Sequence, residues 1–330
     1  MMKLKHLFHN PDLANMLLKN WDDDETSPEL LADYRISANA VYPFQKKDQV
    51  YFLRFCPASE KLKENIAAEL EWIGYLRSQG YPAVEPVPSR TGETLLQKAT
   101  PWGDYYASAF RRVPGEPVSE SPLDDERIYR YGAALGRLHR LSGQYQPKTR
   151  RWTYADVLAW IENTMASVPV ERQAFFELAL LRKFFQALHA HPGNYGLVHY
   201  DFETDNVFYD PATGLCSVID FDDAMYHWYG MDIDQALDSL QDACNLPDHE
   251  FHPRETLFLD GYRSQFALDD EQVTMRAAFR RFANLYGYAR IARSMQEAWE
   301  NEPEWLAGLR VKLRSALRAR SANFGKPLAV

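Results

Sequence analysis

His199-Tyr200-Asp201-Phe202-Glu203-Thr204-Asp205-Asn206 is the stretch from which the rest of this chain can be read. The apolar Gly196-Leu197-Val198 leads into it and Val207-Phe208-Tyr209 leads out, so the pattern predicts strand, polar loop, strand. Asp210-Pro211-Ala212-Thr213-Gly214 then reads as a turn, and Leu215 to Ile219 as a third strand that delivers Asp220 at its end. Hairpin geometry predicts that Asp201, Asn206 and Asp220 converge on a small volume.

That set of groups suits phosphoryl transfer, which needs oxygen ligands for magnesium and a carboxylate near the attacking hydroxyl. An Asn carbonyl and an Asp carboxylate are hard donors of the kind magnesium prefers. Asp201, at the head of the loop, is placed to take a hydroxyl proton. Asp and Asn are also common in plain turns, so the pattern gains meaning only from its flanking strands and the later Asp220.

The spacing D-x-x-x-x-N matches the catalytic loop of protein kinases, and Asp220-Phe221 matches the start of their D-F-G. H-x-D-x-x-x-x-N followed by Ile219-Asp220-Phe221 more closely resembles the aminoglycoside phosphotransferase and choline kinase family of small-molecule kinases. The resemblance implies an α+β, two-lobed protein-kinase-like fold and the use of ATP and Mg2+. It makes Asp201 the catalytic base, Asn206 and Asp220 the metal ligands, and His199 and Asp232 the residues that support the loop. Asp232 also reads as a helix N-cap for Ile233 to Ala243.

With 330 residues, 46% of them hydrophobic, the chain can bury a large core. The net charge of −9 argues against nucleic acid as the main partner and is compatible with a cationic small-molecule acceptor. Cys56, Cys216 and Cys244 have no metal or redox spacing, which suggests reduced thiols. Met1 to Trp21 lacks the continuous apolar core of a signal peptide, and no run is long enough for a membrane span. A soluble, cytoplasmic protein is expected.

Pro11 to Asn20 has helical spacing, and Asp22-Asp23-Asp24-Glu25 reads as a solvated loop. Tyr34 to Phe44 and Val50 to Phe55 read as strands, followed by a helix from Glu60 to Gln79 with Ser59 as its cap. Thr94 to Lys98 and Tyr105 to Arg111 are two more strands. This strand-rich region, residues 1–111, resembles a kinase N-lobe, with Arg54 where protein kinases carry a phosphate-binding Lys. Glu69 is its expected acidic partner, ahead of Glu64. No glycine-rich loop is present, so the resemblance assigns the phosphate cover to Ser37 to Asn39. Residues 112–117 (Arg112-Val113-Pro114-Gly115-Glu116-Pro117) read as a hinge, and residues 118–330 as a C-lobe.

Beyond the hinge, helices are expected over Asp124 to Leu141, ending at a packed His139, over Trp152 to Asn163, and over Glu171 to His191. An irregular aromatic run is expected after Asp223, and helices broken at Gly287 and Pro303 over Arg254 to Ala319. For the acceptor, Asp222, Asp223 and Trp228 are the candidates nearest the metal residue. Asp234, Asp238, Glu297, Glu300, Glu302, Glu304, Tyr288, Trp299 and Trp305 lie further away. Two other readings stay open: a catalytically silent protein of the same fold, and a metal-dependent phosphoesterase.

Overall fold

In the computed structural model, which describes residues 1–21, 28–268, 270–298 and 300–328, strands come first and helices dominate later. The acidic run Asp22 to Glu25 and Trp299 lie outside the described residues. The architecture is the two-lobed, protein-kinase-like α+β fold. Ala40–Lys46 and Gln49–Pro57 form an antiparallel hairpin whose turn, Lys47 and Asp48, has φ of 48° and 59°. Gly103–Arg111 pairs with the second of these strands, and Glu85–Val87 and Leu96–Thr100 pair with Gly103–Arg111. One face of this sheet buries Tyr42, Leu53 and Phe55 against Leu13 and Leu17 of helix Pro11–Leu18. Because side chains alternate along a strand, Arg54 points to the opposite face, toward helix Lys63–Ser78.

Two local expectations are corrected here. The stretch from Tyr34 to Phe44 is two strands, Arg35–Ile36 and Ala40–Lys46, folded on each other about Ser37-Ala38-Asn39. The helix begins at Lys63 without a side-chain cap, so Ser59 does not cap it. Glu60 and Lys61 lie ahead of that helix and pair with Arg293 and Asp222.

Glu116–Pro117 has joined a second sheet, pairing with Val207–Asp210, which in turn pairs with Leu215–Val218. Tyr195–Val198 pairs with Met225–Trp228, so the aromatic run that reads as irregular is a strand. Its side chains pack into a core with Phe185, Phe279 and Phe282, and pairing satisfies the backbone that this burial removes from water.

Helix Asp125–Ser142 lies beneath the catalytic loop, with Asp124 accepting from the Arg127 N–H at 2.9 Å as N-cap. It packs so closely on helix Asp248–Arg263 that a Cβ at Gly132 would strike the Phe258 carbonyl, and one at Gly261 the Tyr129 carbonyl. Helix Tyr154–Ser167 opens with a Thr153/Asp156 capping box. Gly287, expected as a break, lies inside helix Arg276–Ser294, where it leaves room for the Arg320 guanidinium. Pro303 does mark a start, as N-cap of helix Glu304–Ser321. The three cysteines are free thiols. Among the described residues no helix is long and apolar enough to cross a membrane.

Candidate active site

The loop from His199 to Asn206 is held from below by several anchors. Both Asp232 oxygens accept backbone N–H bonds, from His199 at 2.7 Å and from Tyr200 at 2.7 Å. The His139 Nε2 donates to the same carboxylate at 3.0 Å. The His199 Nε2 donates to the Ile219 carbonyl at 2.9 Å, while its Nδ1 accepts from the Asp201 N–H at 3.2 Å. Burial lowers the pKa of both imidazoles, which favours their neutral forms. The Tyr131 hydroxyl donates to the Phe202 carbonyl at 2.6 Å. Asp232 is therefore no N-cap: it sits in the first turn of helix Gly230–Cys244, with its carboxylate turned back under the loop.

This support holds Tyr200 at φ 68° and Asp220 at φ 59°, left-handed conformations that cost a non-glycine residue energy. The strain falls on the residue before Asp201 and on Asp220 itself. The Asn206 Nδ2 donates to the Asp201 Oδ2 at 3.0 Å and to the Asp201 carbonyl at 3.0 Å. The Asn206 carbonyl accepts from the Ile219 N–H at 3.0 Å, which ties the residue before Asp220 to the loop. Asp201, Asn206 and Asp220 are thus brought together.

Burial, followed by the charges of Glu203, Asp223 and Asp220, raises the Asp201 carboxyl well above its ordinary range. Asp220 opens to the cleft yet is hemmed in by protein. That confinement, followed by the charge of Asp222, pushes it up to about 6. A cation would relieve both groups. The Asn206 amide nitrogen is directed at Asp201, which leaves Oδ1 as the donor a cation would use. No three His, Cys, Asp or Glu side chains among the described residues form a cation site. One carboxylate and one amide oxygen are hard donors that leave room on a divalent ion for waters and substrate phosphates.

Across the cleft, Arg54 makes a fork with Glu69, 2.7 Å at each oxygen, and its guanidinium lies 4.7 Å from the Phe110 ring centre. Burial works against the Arg54 charge, and Glu69 more than restores it. Glu69 is 1% exposed, whereas Glu64 faces solvent. Asn39 donates to the Asp222 carboxylate at 3.2 Å, and Lys61 pairs with the same oxygen. Burial raises the Asp222 pKa, but Lys61 and Arg54 together hold it below the usual carboxylate range. Ser37 is exposed, and its carbonyl accepts from the Met2 N–H at 3.0 Å.

A cavity of about 380 Å3 opens beside Asp222 and Asp223. Trp152, Trp160 and Tyr286 supply its aromatic wall, and Arg290 and Arg293 its charge. Asp223 is paired with Arg290 at 2.6 Å, and Arg293 with Glu60 at 2.9 Å. The carboxylates that the sequence offers to an acceptor already have cationic partners within the chain. Trp228 is corrected: it is 2% exposed and stacks on Phe185, in the core and away from this cavity. Tyr288 is likewise core, while Asp234 pairs with Arg276 and Glu297 with Lys3 and Lys5.

Sequence reading passed over Lys61, Arg151, Tyr286 and Arg290. Arg151 is 5% exposed and donates to the carbonyls of Phe221 at 3.1 Å, Asp222 at 2.6 Å and Ala224 at 2.5 Å, bracing the turn after Asp220. None of these residues stands in a local pattern; their partners are far away in the sequence.

With that geometry established, comparison with known proteins gives three results. Residues 36–262 match the model of a family described as the phosphotransferase enzyme family. An amicoumacin kinase from Bacillus subtilis is 26% identical over 336 residues, covering 97% of each chain. Among solved structures, an amicoumacin kinase in complex with AMP-PNP, Ca2+ and Ami has a TM-score of 0.75 at 22% identity, over 97% of this chain and 96% of that one. A microcompartment-associated aminopropanol kinase has a TM-score of 0.72 at 21% identity, over 97% of this chain and 100% of that one.

Proposed function

This chain belongs to the phosphotransferase enzyme family, and we propose that it uses ATP and Mg2+ to phosphorylate a hydroxyl of a small amino alcohol or a compound containing one. The observation that carries this reading is the Asn206 bond to Asp201 at 3.0 Å, made by the same residue whose backbone carbonyl ties down Ile219 beside Asp220. In this reading Asp201 takes the acceptor's hydroxyl proton. The acceptor oxygen bonds to the γ-phosphorus as the bond from that phosphorus to the ADP oxygen breaks. The raised pKa of Asp201 makes it a better proton acceptor than an ordinary carboxylate.

Asn206 Oδ1 and the Asp220 carboxylate would hold the metal, which supplies charge neutralisation on the phosphates when bound. Arg54, steadied by Glu69, grips phosphate oxygens, and the turn Ser37 to Asn39, closed by the Ser37 N–H donating to the Asn39 carbonyl at 2.9 Å, covers them in place of a glycine loop. Residues 1–111, 112–117 and 118–330 serve as nucleotide lobe, hinge and catalytic lobe. The intact Arg54–Glu69 fork and the strained Asp220 support an active enzyme over a silent one. The amine is assigned to the side of the cavity bearing Asp222 and Asp223. Support comes from the two relatives, named for amicoumacin and aminopropanol.

The test is ADP release from ATP and MgCl2 across amino alcohols, choline, homoserine, aminoglycosides and sugars. Magnesium-dependent release that requires an amino alcohol is expected. Turnover of phosphate esters without nucleotide would replace the reading with a phosphoesterase.

A further inference from the structure

The N-terminal segment is anchored at both ends of its path across the cleft. The Met2 N–H bonds the carbonyl of Ser37 at 3.0 Å, and the Lys3 N–H bonds Glu60 at 3.2 Å. Leu4 is fully buried among Ile291, Leu306 and Leu313, and Lys3 and Lys5 each pair with Glu297 at 2.6 Å. Phe8 meets the Trp305 ring edge-on at 5.3 Å, and the Asn10 N–H reaches the Tyr42 hydroxyl at 3.0 Å. The strap and the helices that hold it, Arg276–Ser294 and Glu304–Ser321, lie outside the residues 36–262 that match the family. Met1 and Met2 of the strap and Tyr286, Arg290 and Arg293 of the first of these helices line the cavity next to Asp223.

Met2 is 2% exposed and lines two cavities at once. One is the 380 Å3 space beside Asp222 and Asp223; the other, of about 290 Å3, lies on the far side of the strap. The second cavity is bounded by Phe8, Phe55, Trp102 and Tyr105, with His6 at its edge. Phe55 belongs to the sheet face opposite Arg54, so this space is separate from the phosphate-facing side of the sheet. Its wall is mixed, with these aromatic rings on one side and Lys5, His9 and Asn10 on the other, so a chain entering it has an aromatic surface to lie against.

We propose that Met2 is a specificity-determining residue: it closes the acceptor cavity from a second compartment with a partly aromatic wall, and so sets how long an amino-alcohol acceptor can be. Building on the proposed function, this assigns the acceptor an apolar far end directed at Met2. A thioether side chain is unbranched and adaptable, which suits a partition that contacts ligands of different shape. Shortening it would merge the compartments. Loosening Leu4 would let the partition swing without altering the cavity lining.

The test is a series of 1-amino-2-alkanols, from 1-aminopropan-2-ol to 1-aminodecan-2-ol, run on wild type, Met2→Ala and Leu4→Ala. The readouts are ADP release and AMP-PNP binding by calorimetry. Met2→Ala is expected to raise kcat/KM for the longest members relative to the shortest by about tenfold, with AMP-PNP affinity held within about twofold. Leu4→Ala is expected to broaden the length profile. Length profiles identical in all three proteins would overturn the role of Met2. ADP release by none of them, with any member, would overturn the amino-alcohol reading itself.

Discussion

The Asn206 amide holds the Asp201 carboxylate at 3.0 Å while its backbone carbonyl holds Ile219, so one residue sets both the candidate base and the approach of Asp220. Asp201→Ala is expected to lower kcat by about 10²–10⁴-fold with AMP-PNP binding nearly unchanged. Asp220→Ala is expected to weaken magnesium-dependent nucleotide binding instead. Calorimetric titration beside steady-state kinetics separates the two. An Asp201→Ala enzyme with normal turnover would remove the base from the account.

Asp220 also makes a pH prediction. Its folded-state pKa, pushed up to about 6, lies above that of an ordinary carboxylate, so folding favours its neutral form. The metal-free protein should lose stability as pH rises through about 6, where the proton leaves. A divalent ion binds the ionised form, so the Tm increase caused by MgCl2 with ADP should grow between about pH 5 and pH 7. Scanning calorimetry on wild type and Asp220→Asn checks this, since the variant should lose most of the pH dependence. Asp201 shifts in the same direction, and the difference between the two proteins isolates Asp220.

Asp232 accepts from two backbone N–H groups and one histidine while itself fully buried. Asp232→Asn sets an amide N–H against one of those donors, at a cost of about 1–3 kcal/mol. A fall in both Tm and kcat is expected, because the same bonds hold Tyr200 at its strained φ of 68°. A variant with lowered Tm but full kcat would show that Asp232 serves stability alone.

Arg54 and Glu69 should separate stability from nucleotide binding. Arg54→Ala leaves a carboxylate uncompensated at 1% exposure, a loss of about 3–5 kcal/mol for a buried pair broken on one side. Adding Glu69→Leu should restore most of the stability. The KM for ATP should stay high in the double variant, because the phosphate contact is still missing. Urea titration and kinetics on the three proteins check this; a double variant with normal KM would take Arg54 out of the nucleotide site.

The catalytic loop and the Arg54–Glu69 pair were legible because their signals are short-range. His199, Asp201 and Asn206 share one loop, Asp220 follows one hairpin later, and Glu69 lies one helix beyond Arg54. The acceptor side was not legible. Lys61 meets Asp222 across 161 residues, and Asp223 meets Arg290 across 67. Trp228 looked like a ligand platform because it follows Asp220, but strand pairing with Tyr195 turns it into the core. Met225–Trp228 buries nearly every side chain, so it lacks the polar alternation by which a half-exposed strand is recognised. The strap from Met2 to Asn10 carries no sequence signal for its long-range contacts with Ser37, Glu60 and Glu297.

The most direct measurement is a crystal structure with AMP-PNP and Mn2+, read from the anomalous signal of the metal. The account predicts a metal peak bound by Asn206 Oδ1 and the Asp220 carboxylate, with the γ-phosphate between it and Asp201. A nucleotide-bound crystal whose metal lies away from both residues would contradict it.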